Sequence, residues 1–291
     1  MNARHTALAI LISIIWGCAF VATKLGLQSF TPSQLTALRF LIACLPAVLL
    51  QRPALRWTTL LGIGLTLFAG QFLLFHFAME LGLPPGVASI TQQMQAFFTV
   101  LLAALFLHES LNTRQITGMC IAFAGLALIG TTIGGDLTGV GLLLGLSSAF
   151  SWAVGNILVK RNPGQPMLPF MVWLSLVPPL PALAVSYLSH DDEALITAIT
   201  HSSWISLASA IYLGAIATVA AYAIWGKLLA RYSTAQVAPF ALIAPCTGTI
   251  GSWLVFGEVF GPLRYVGMVL ILVGVAVTVL RRAGQLAPIR T

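Results

Sequence analysis

Apolar residues run along the chain in ten long stretches, separated by short clusters of charge, proline and glycine. They lie near residues 6–27, 33–50, 58–80, 86–107, 115–133, 139–159, 168–188, 203–229, 234–256 and 263–280. A helix that crosses the hydrocarbon core needs about 20 apolar residues. Each stretch therefore predicts one transmembrane helix, and the longest connection, about 189–202, is too short for a separate soluble domain.

The fourth stretch departs from the pattern, because it carries Gln92, Gln93 and Gln95 where no water solvates an amide. At about 100° per residue, Ser89, Gln92, Gln95, Ala96, Thr99 and Ala103 share one arc of a continuous helix. Met94, Phe97, Phe98, Leu101 and Leu105 take the opposite side. Such a small, polar stripe faces a water-filled substrate pathway, or it hydrogen-bonds across a packing contact with a neighbouring helix.

Composition agrees with the pattern. The 291 residues are 58% hydrophobic and 7% charged, against about 25% charged in soluble domains, and the mean hydropathy is +0.97. Arg4 and His5 ahead of an apolar run look like a signal peptide. The run is too long for one, and Lys24 and the next stretch follow at once, so it is the expected first span.

The net charge of +7 is explained by topology. With the N-terminus inside, ten spans place Arg4, Arg52, Arg56, Arg114, Lys160, Arg161, Lys227, Arg231, Arg281, Arg282 and Arg290 on the cytoplasmic side. Asp136, Asp191, Asp192 and Glu193 fall in outer loops. The positive-inside rule then predicts cytoplasmic termini in a multi-pass bacterial inner membrane protein, and no nucleic-acid partner is needed.

The chain repeats itself. Trp16 and Lys24 on the first span are matched by Trp152 and Lys160 on the sixth, at an offset of 136. Glu109, Gly118 and Gly125 are matched by Glu258, Gly267 and Gly274 at an offset of 149, so the second half holds 13 extra residues, expected around Asp191–Glu193. Five spans per half is an odd number. The two copies therefore enter the membrane from opposite sides, an inverted repeat of the transporter kind.

Several motifs carry a resemblance: Trp-Gly-x-x-Phe-x-x-x-Lys from Trp16 to Lys24, Arg-Phe-Leu-x-Ala from Arg39 to Ala43, LPPGVAS from Leu83 to Ser89, and the helix endings at Glu109 and Glu258. In this order they resemble the EamA domain of the drug/metabolite transporter (DMT) superfamily, over residues 6–131 and 138–281. Within it the chain is most similar to the YddG-type exporters, which move aromatic amino acids and related compounds out of bacterial cells. The resemblance implies an all-α integral membrane protein, with two inverted five-helix repeats around a central cavity. Members of the family often have a proline where this chain has Ala96, whereas Pro245 stands at the equivalent place in the ninth span; the two halves are thus expected to move differently.

Trp16 and Trp152 are candidate aromatic walls of the cavity, or a packing pair. Asn156, on the Trp152 face, offers an amide to a substrate carboxylate or ammonium, or to a neighbouring helix. Arg39 is costly at mid-depth, about 2.5 kcal/mol or more unless it finds partners or water, so it attracts a carboxylate or clamps carbonyls of a broken helix. His76, one turn before Glu80, is a candidate for proton coupling or an ordinary hydrogen-bonding residue. Lys24 and Glu80 meet near one surface as a candidate gate, and Glu109 and Glu258 read as caps or gate contacts on opposite faces.

The expected function is a secondary transporter that exports a small amphipathic metabolite by alternating access, with an aromatic or large apolar amino acid as its first candidate. Its substrate-binding residues would be Trp16, Arg39, His76, Gln92, Gln95, Thr99, Trp152 and Asn156. A multidrug or other metabolite carrier of the same fold is the alternative, and a passive channel comes after it. No Gly-x-x-x-x-Gly-Lys-Ser/Thr loop for ATP occurs and no cofactor is expected. Without a His-Glu-x-x-His pair or a convincing Ser/His constellation, an intramembrane enzyme is disfavoured.

Overall fold

The computed structural model describes residues 1–189 and 194–279. Asp191, Asp192, Glu193, Arg281, Arg282 and Arg290 lie outside the described residues. Within them ten helices are long and apolar enough to cross a membrane: α1 (Ala3–Gly26), α2 (Pro32–Leu49), α3 (Trp57–Glu80), α4 (Pro85–Leu107), α5 (Thr113–Gly130), α6 (Gly139–Lys160), α7 (Met167–Leu188), α8 (Trp204–Arg231), α9 (Ala238–Phe256) and α10 (Pro262–Val279). A short helix, Leu195–His201, occupies the longer connection in the second half. Large apolar side chains such as Leu105, Leu180 and Leu254 point outward, the surface expected where lipid is the solvent.

Caps set several boundaries. Thr31 and Gln34 form a capping box at the start of α2, and Asn112 and Gln115 form one at the start of α5. These side chains satisfy N–H groups that lack intrahelical partners. α4 and α9 end alike, on His108 (φ 54°) and Gly257 (φ 66°). His108 holds the left-handed conformation that glycine adopts without strain.

The inverted repeat is visible where α5 crosses α10. A Cβ on Gly118 would lie 2.6 Å from the Gly274 carbonyl oxygen, and one on Gly125 would lie 2.5 Å from that of Gly267. Because Gly118 corresponds to Gly267 and Gly125 to Gly274, a two-fold rotation exchanges these two contacts. Small residues at such a crossing let backbones touch, and dispersion rather than the hydrophobic effect holds helices together in lipid. The link between the halves is fastened at the opposite face from the N-terminus, where Arg264 binds Asp136 at 2.7 and 2.9 Å and donates to the Thr132 carbonyl.

Irregular backbone recurs at equivalent depths. α3 contains a π-helical segment, Gly64–Gly70, and α8 contains one at Tyr212–Ala220, a correspondence close to the 149-residue offset. α4 breaks at Gln92–Gln93 and resumes at Met94, while α9 begins as a 3₁₀ helix and becomes α-helical at Ile243, its counterpart. The break in α4 therefore forms without the proline that the family often places there. Non-helical backbone survives at membrane depth where protein or a wet cavity surrounds it, and these segments converge on the middle of the bundle.

Candidate functional site

A cavity of about 300 Å³ lies there, walled by α1, α2, α3, α4, α6, α8 and α9. Trp16, Phe20, Phe72, Phe75, Trp152, Tyr222 and Trp225 supply its aromatic surface, and Arg39, Gln71, Gln92, Gln93 and Gln95 its polar surface. A second chamber shares Trp152 and Tyr222 with the first and reaches Asn162, Gly164 and Gln165 in the connection between α6 and α7. That connection is on the face where α1 begins, so the route from the cavity leads to the N-terminal face.

The far end is shut. There Ser89 on α4 donates to the Gly86 carbonyl (2.8 Å) and the Pro245 carbonyl (3.0 Å). Gly17 on α1 meets α9 so closely that a Cβ would lie 2.6 Å from the Ala244 carbonyl oxygen. Glu258, just past α9, accepts from the Gly86 N–H at 3.1 Å and from the Ser252 hydroxyl. A carboxylate at the start of a helix meets both free N–H donors and the positive end of the helix dipole. Burial lifts the Glu258 carboxyl above the ordinary range, against the opposing pull of Ser252, Gly86 and Lys24.

Trp16 is fixed by its indole N–H on the Ala217 carbonyl (3.0 Å) and by rings of Tyr222 and Trp225 at 5.5 and 5.0 Å. The acceptor belongs to the π segment of α8, so irregular backbone orients an aromatic wall. Arg39 is 5% exposed. Its guanidinium lies 4.0 Å from the Phe72 ring centre, and two of its nitrogens donate to Thr218 Oγ1 at 3.2 and 3.3 Å. Thr218 in turn donates to the Leu213 carbonyl, five residues back. Arg39 thus clamps the π segment and lines the cavity at once. Among the residues lining either chamber it is the one charged side chain.

The break divides the polar arc of α4. Ser89 serves the far-end junction, whereas Gln92, 4% exposed, donates to the Gly145 carbonyl and Ser148 on α6 at 3.2 and 3.3 Å. Gln95 accepts from Asn156 at 3.0 Å, and Asn156 also donates to Thr99 at 3.2 Å. Gln92 and Gln95 therefore tie α4 to α6 and touch the cavity; Asn156 lines the second chamber. Thr99, expected to bind substrate, lines neither chamber and donates to the Gln95 carbonyl.

His76 stands behind the wall, 0% exposed. Its Nδ1 bonds Thr36 at 2.8 Å, and because the Thr36 hydroxyl already donates to Pro32, the network assigns the histidine proton to Nδ1. Nε2 has no partner. Lys24 donates to the Met79 carbonyl at 3.5 Å, beside the exposed Glu80, at the far face. Gln71, Gln93, Phe72, Phe75, Tyr222 and Trp225 were not among the expected site residues. The π segments and the break in α4 bring them in, and three amides within four residues were the sequence signal for Gln93.

Residues 5–131 and 139–280 match the EamA-like transporter family. A protein named "Probable amino-acid metabolite efflux pump" from Salmonella typhimurium is 37% identical, over 96% of this chain and 96% of its own length. Its namesake from Escherichia coli is 35% identical with the same coverage. A "Probable terminal-alkyne amino-acid exporter" from Streptantibioticus cattleyicolor is 26% identical over 95% of this chain and 93% of its own. One crystal structure matches 96% of this chain and 97% of its own with a TM-score of 0.65 at 18% identity, a shared fold.

Proposed function

The chain belongs to the EamA-like transporter family, and from that premise we propose that it exports an amino-acid-type metabolite with an aromatic or large apolar side chain. The cavity carries this reading. Its aromatic rings receive an apolar side chain, while Arg39 and the amides of Gln71 and Gln93 replace water around a carboxylate and a nitrogen. A volume of about 300 Å³ suits one small metabolite, at the lower end of ordinary ligand pockets. Bulky cationic drugs fit less well, since the lining is positive. The relatives' names, which specify amino-acid metabolites, support the same class.

Both termini are cytoplasmic on this reading, since Arg52, Arg56, Arg114, Arg161 and Arg231 gather on the N-terminal face. The cavity then opens inward, ready to load a substrate for export across the inner membrane. Transport proceeds by alternating access. Glu258 latches the outer end onto α4 here, while its counterpart Glu109 pairs with Lys160 at the inner face; in the opposite state Glu109 takes the inner latch at the start of α9. Lys24 and Glu80 lie at the outer face and act with that latch. Substrate contacts are Trp16, Arg39, Trp152 and the amides on the cavity; Asn156 and Thr99 hold the amide of Gln95 in place, and His76 supports Phe72 and Phe75 rather than carrying protons.

Counterflow in vesicles with the purified protein tests the reading. Preloaded unlabelled substrate should drive uptake of labelled phenylalanine derivatives, because a carrier returns loaded and a channel does not. Absence of such exchange across aromatic and large apolar amino acids and their derivatives overturns it. For orientation, a cysteine replacing Asp192, in a background without native cysteines, should react with an impermeant reagent from outside intact cells, and one replacing Asn162 should not.

A further inference from the structure

The charge balance of the cavity separates two kinds of amino-acid metabolite. Arg39 has five N–H donors, of which two reach Thr218 and none reaches a carboxylate among the described residues. Neither chamber has an acidic side chain in its lining. A substrate carboxylate therefore meets an unneutralised cation whose residue is only 5% exposed, the strongest kind of hydrogen-bond pairing available to it.

A substrate ammonium finds the reverse. It carries three donors and a full charge, and the nearest fixed charge has its own sign. The amide oxygens that would face it are partly committed: that of Gln95 already accepts from Asn156, and that of Gln92 lies 3.5 Å from the Ser148 hydroxyl. Gln71 and Gln93 remain, and two neutral amides satisfy an amide N–H and C=O far better than an ammonium. A buried ion without a counter-ion is disfavoured far more strongly than a hydrogen-bonded neutral group.

We propose that the site selects a monocarboxylate whose nitrogen is uncharged, an N-acylated amino acid with an aromatic or large apolar side chain, over the free zwitterion. The carboxylate pairs with Arg39, the acyl amide with Gln71 and Gln93, and the side chain lies among Trp16, Trp152 and Tyr222. The site is then neutral when loaded and cationic when empty, which draws the anion in and repels a cationic amine. This selection rests on the function proposed above.

The test is counterflow of labelled N-acetylphenylalanine by the purified protein in vesicles, in competition with phenylalanine and phenylalaninamide. N-acetylphenylalanine should compete at a concentration about tenfold or more below that of phenylalanine, a difference of one decade in affinity, and the cationic amide should not compete. Arg39→Gln, which keeps a donor for Thr218, should remove most of that preference, and Arg39→Lys should restore part of it. The wild-type comparison stands even if both variants fail to fold. Preference for phenylalanine, or equal competition by phenylalaninamide, overturns the selection and leaves export of amino-acid metabolites standing. Exchange of none of the three overturns both.

Discussion

The two ends of the α4–α9 pair carry the same glutamate at repeat-equivalent positions, and it does different things there. At the end far from the N-terminus, the outer one on the proposed orientation, Glu258 is partly buried against the first turn of α4 and beside Ser252. At the inner end Glu109 is 48% exposed and meets Lys160, itself 51% exposed, at 2.6 Å. A surface ion pair of that kind contributes about 1 kcal/mol or less, whereas the outer carboxylate joins two helices. One sequence element thus has two environments, and the difference between them describes the conformation the protein occupies.

The largest effect should come from preventing the outer junction from closing. A Cβ on Gly248 would lie 2.6 Å from Ser89 Cβ and 3.2 Å from the Phe20 ring. Overpacking of this sort costs about 1–3 kcal/mol, so Gly248→Leu should lower counterflow about tenfold or more. Its counterpart at the inner end is Thr99, where Thr99→Val loses the donation from Asn156 and the local bond to the Gln95 carbonyl and should reduce exchange by about fivefold or less, near the value of one hydrogen bond between helices. Equal losses at both positions would mean that the two ends are equivalent in the working protein.

Next in size is the latch itself. In a background without native cysteines, a cysteine replacing Ala19 on the cavity wall reports access from the outer side. Glu258→Ala should raise its labelling several-fold, by removing the acceptor for Gly86. Glu109→Ala should leave that labelling unchanged, since it breaks a solvated pair with no part in the outer closure. An increase with both variants would show that the carboxylates act by general destabilisation.

Acidity offers a gentler way to separate the ends. Burial raises the Glu258 carboxyl in the latched state, with Asp136 adding to the rise and Lys24 opposing it. The latched state therefore binds the proton more tightly than a solvated carboxylate does. By linkage, latching is favoured below the ordinary glutamate range and that advantage is lost as pH rises through the raised value. Labelling at position 19 from the outer side should increase with pH over that window in the parent. In Glu258→Gln, which has no proton to lose, it should be flat; a slope that survives this substitution assigns the titration elsewhere.

These differences also mark where the sequence could be read and where it could not. Ten spans, the inverted halves and the helix ends followed from apolar run lengths and from Trp16/Trp152 and Glu109/Glu258, because bilayer thickness and odd span number leave little choice. The cavity was only half legible. The arc from Ser89 to Ala103 assumed one continuous α-helix, and the break at Gln92–Gln93 turns Ser89 to the outer junction and Gln92 and Gln95 toward α6. Neither π segment has a sequence mark as strong as a proline, so Tyr222, Trp225 and Gln71 could not be placed by a regular period. Arg39 stands between its two expected roles: its guanidinium faces the cavity, and it holds the Thr218 hydroxyl of the π segment instead of the expected carbonyls of a broken helix.

The smallest expected effect concerns Lys24, whose contact at 3.5 Å to the Met79 carbonyl is long for a charge-assisted hydrogen bond. Removing it should change exchange at neutral pH by less than about twofold, in keeping with a half-exposed charge near water. Its influence on Glu258 is of another kind. The ammonium favours the ionised carboxylate, so Lys24→Ala should move the pH at which outer labelling rises toward higher values and enlarge the rise, because the gap to a solvated carboxylate widens. Glu80→Gln, which alters the neighbouring carboxylate and leaves Lys24 in place, should move that midpoint less. A midpoint unaffected by Lys24→Ala would remove Lys24 from the outer latch, and a larger response to Glu80→Gln would make Glu80, not Glu258, the carboxylate whose protonation the outer gate senses.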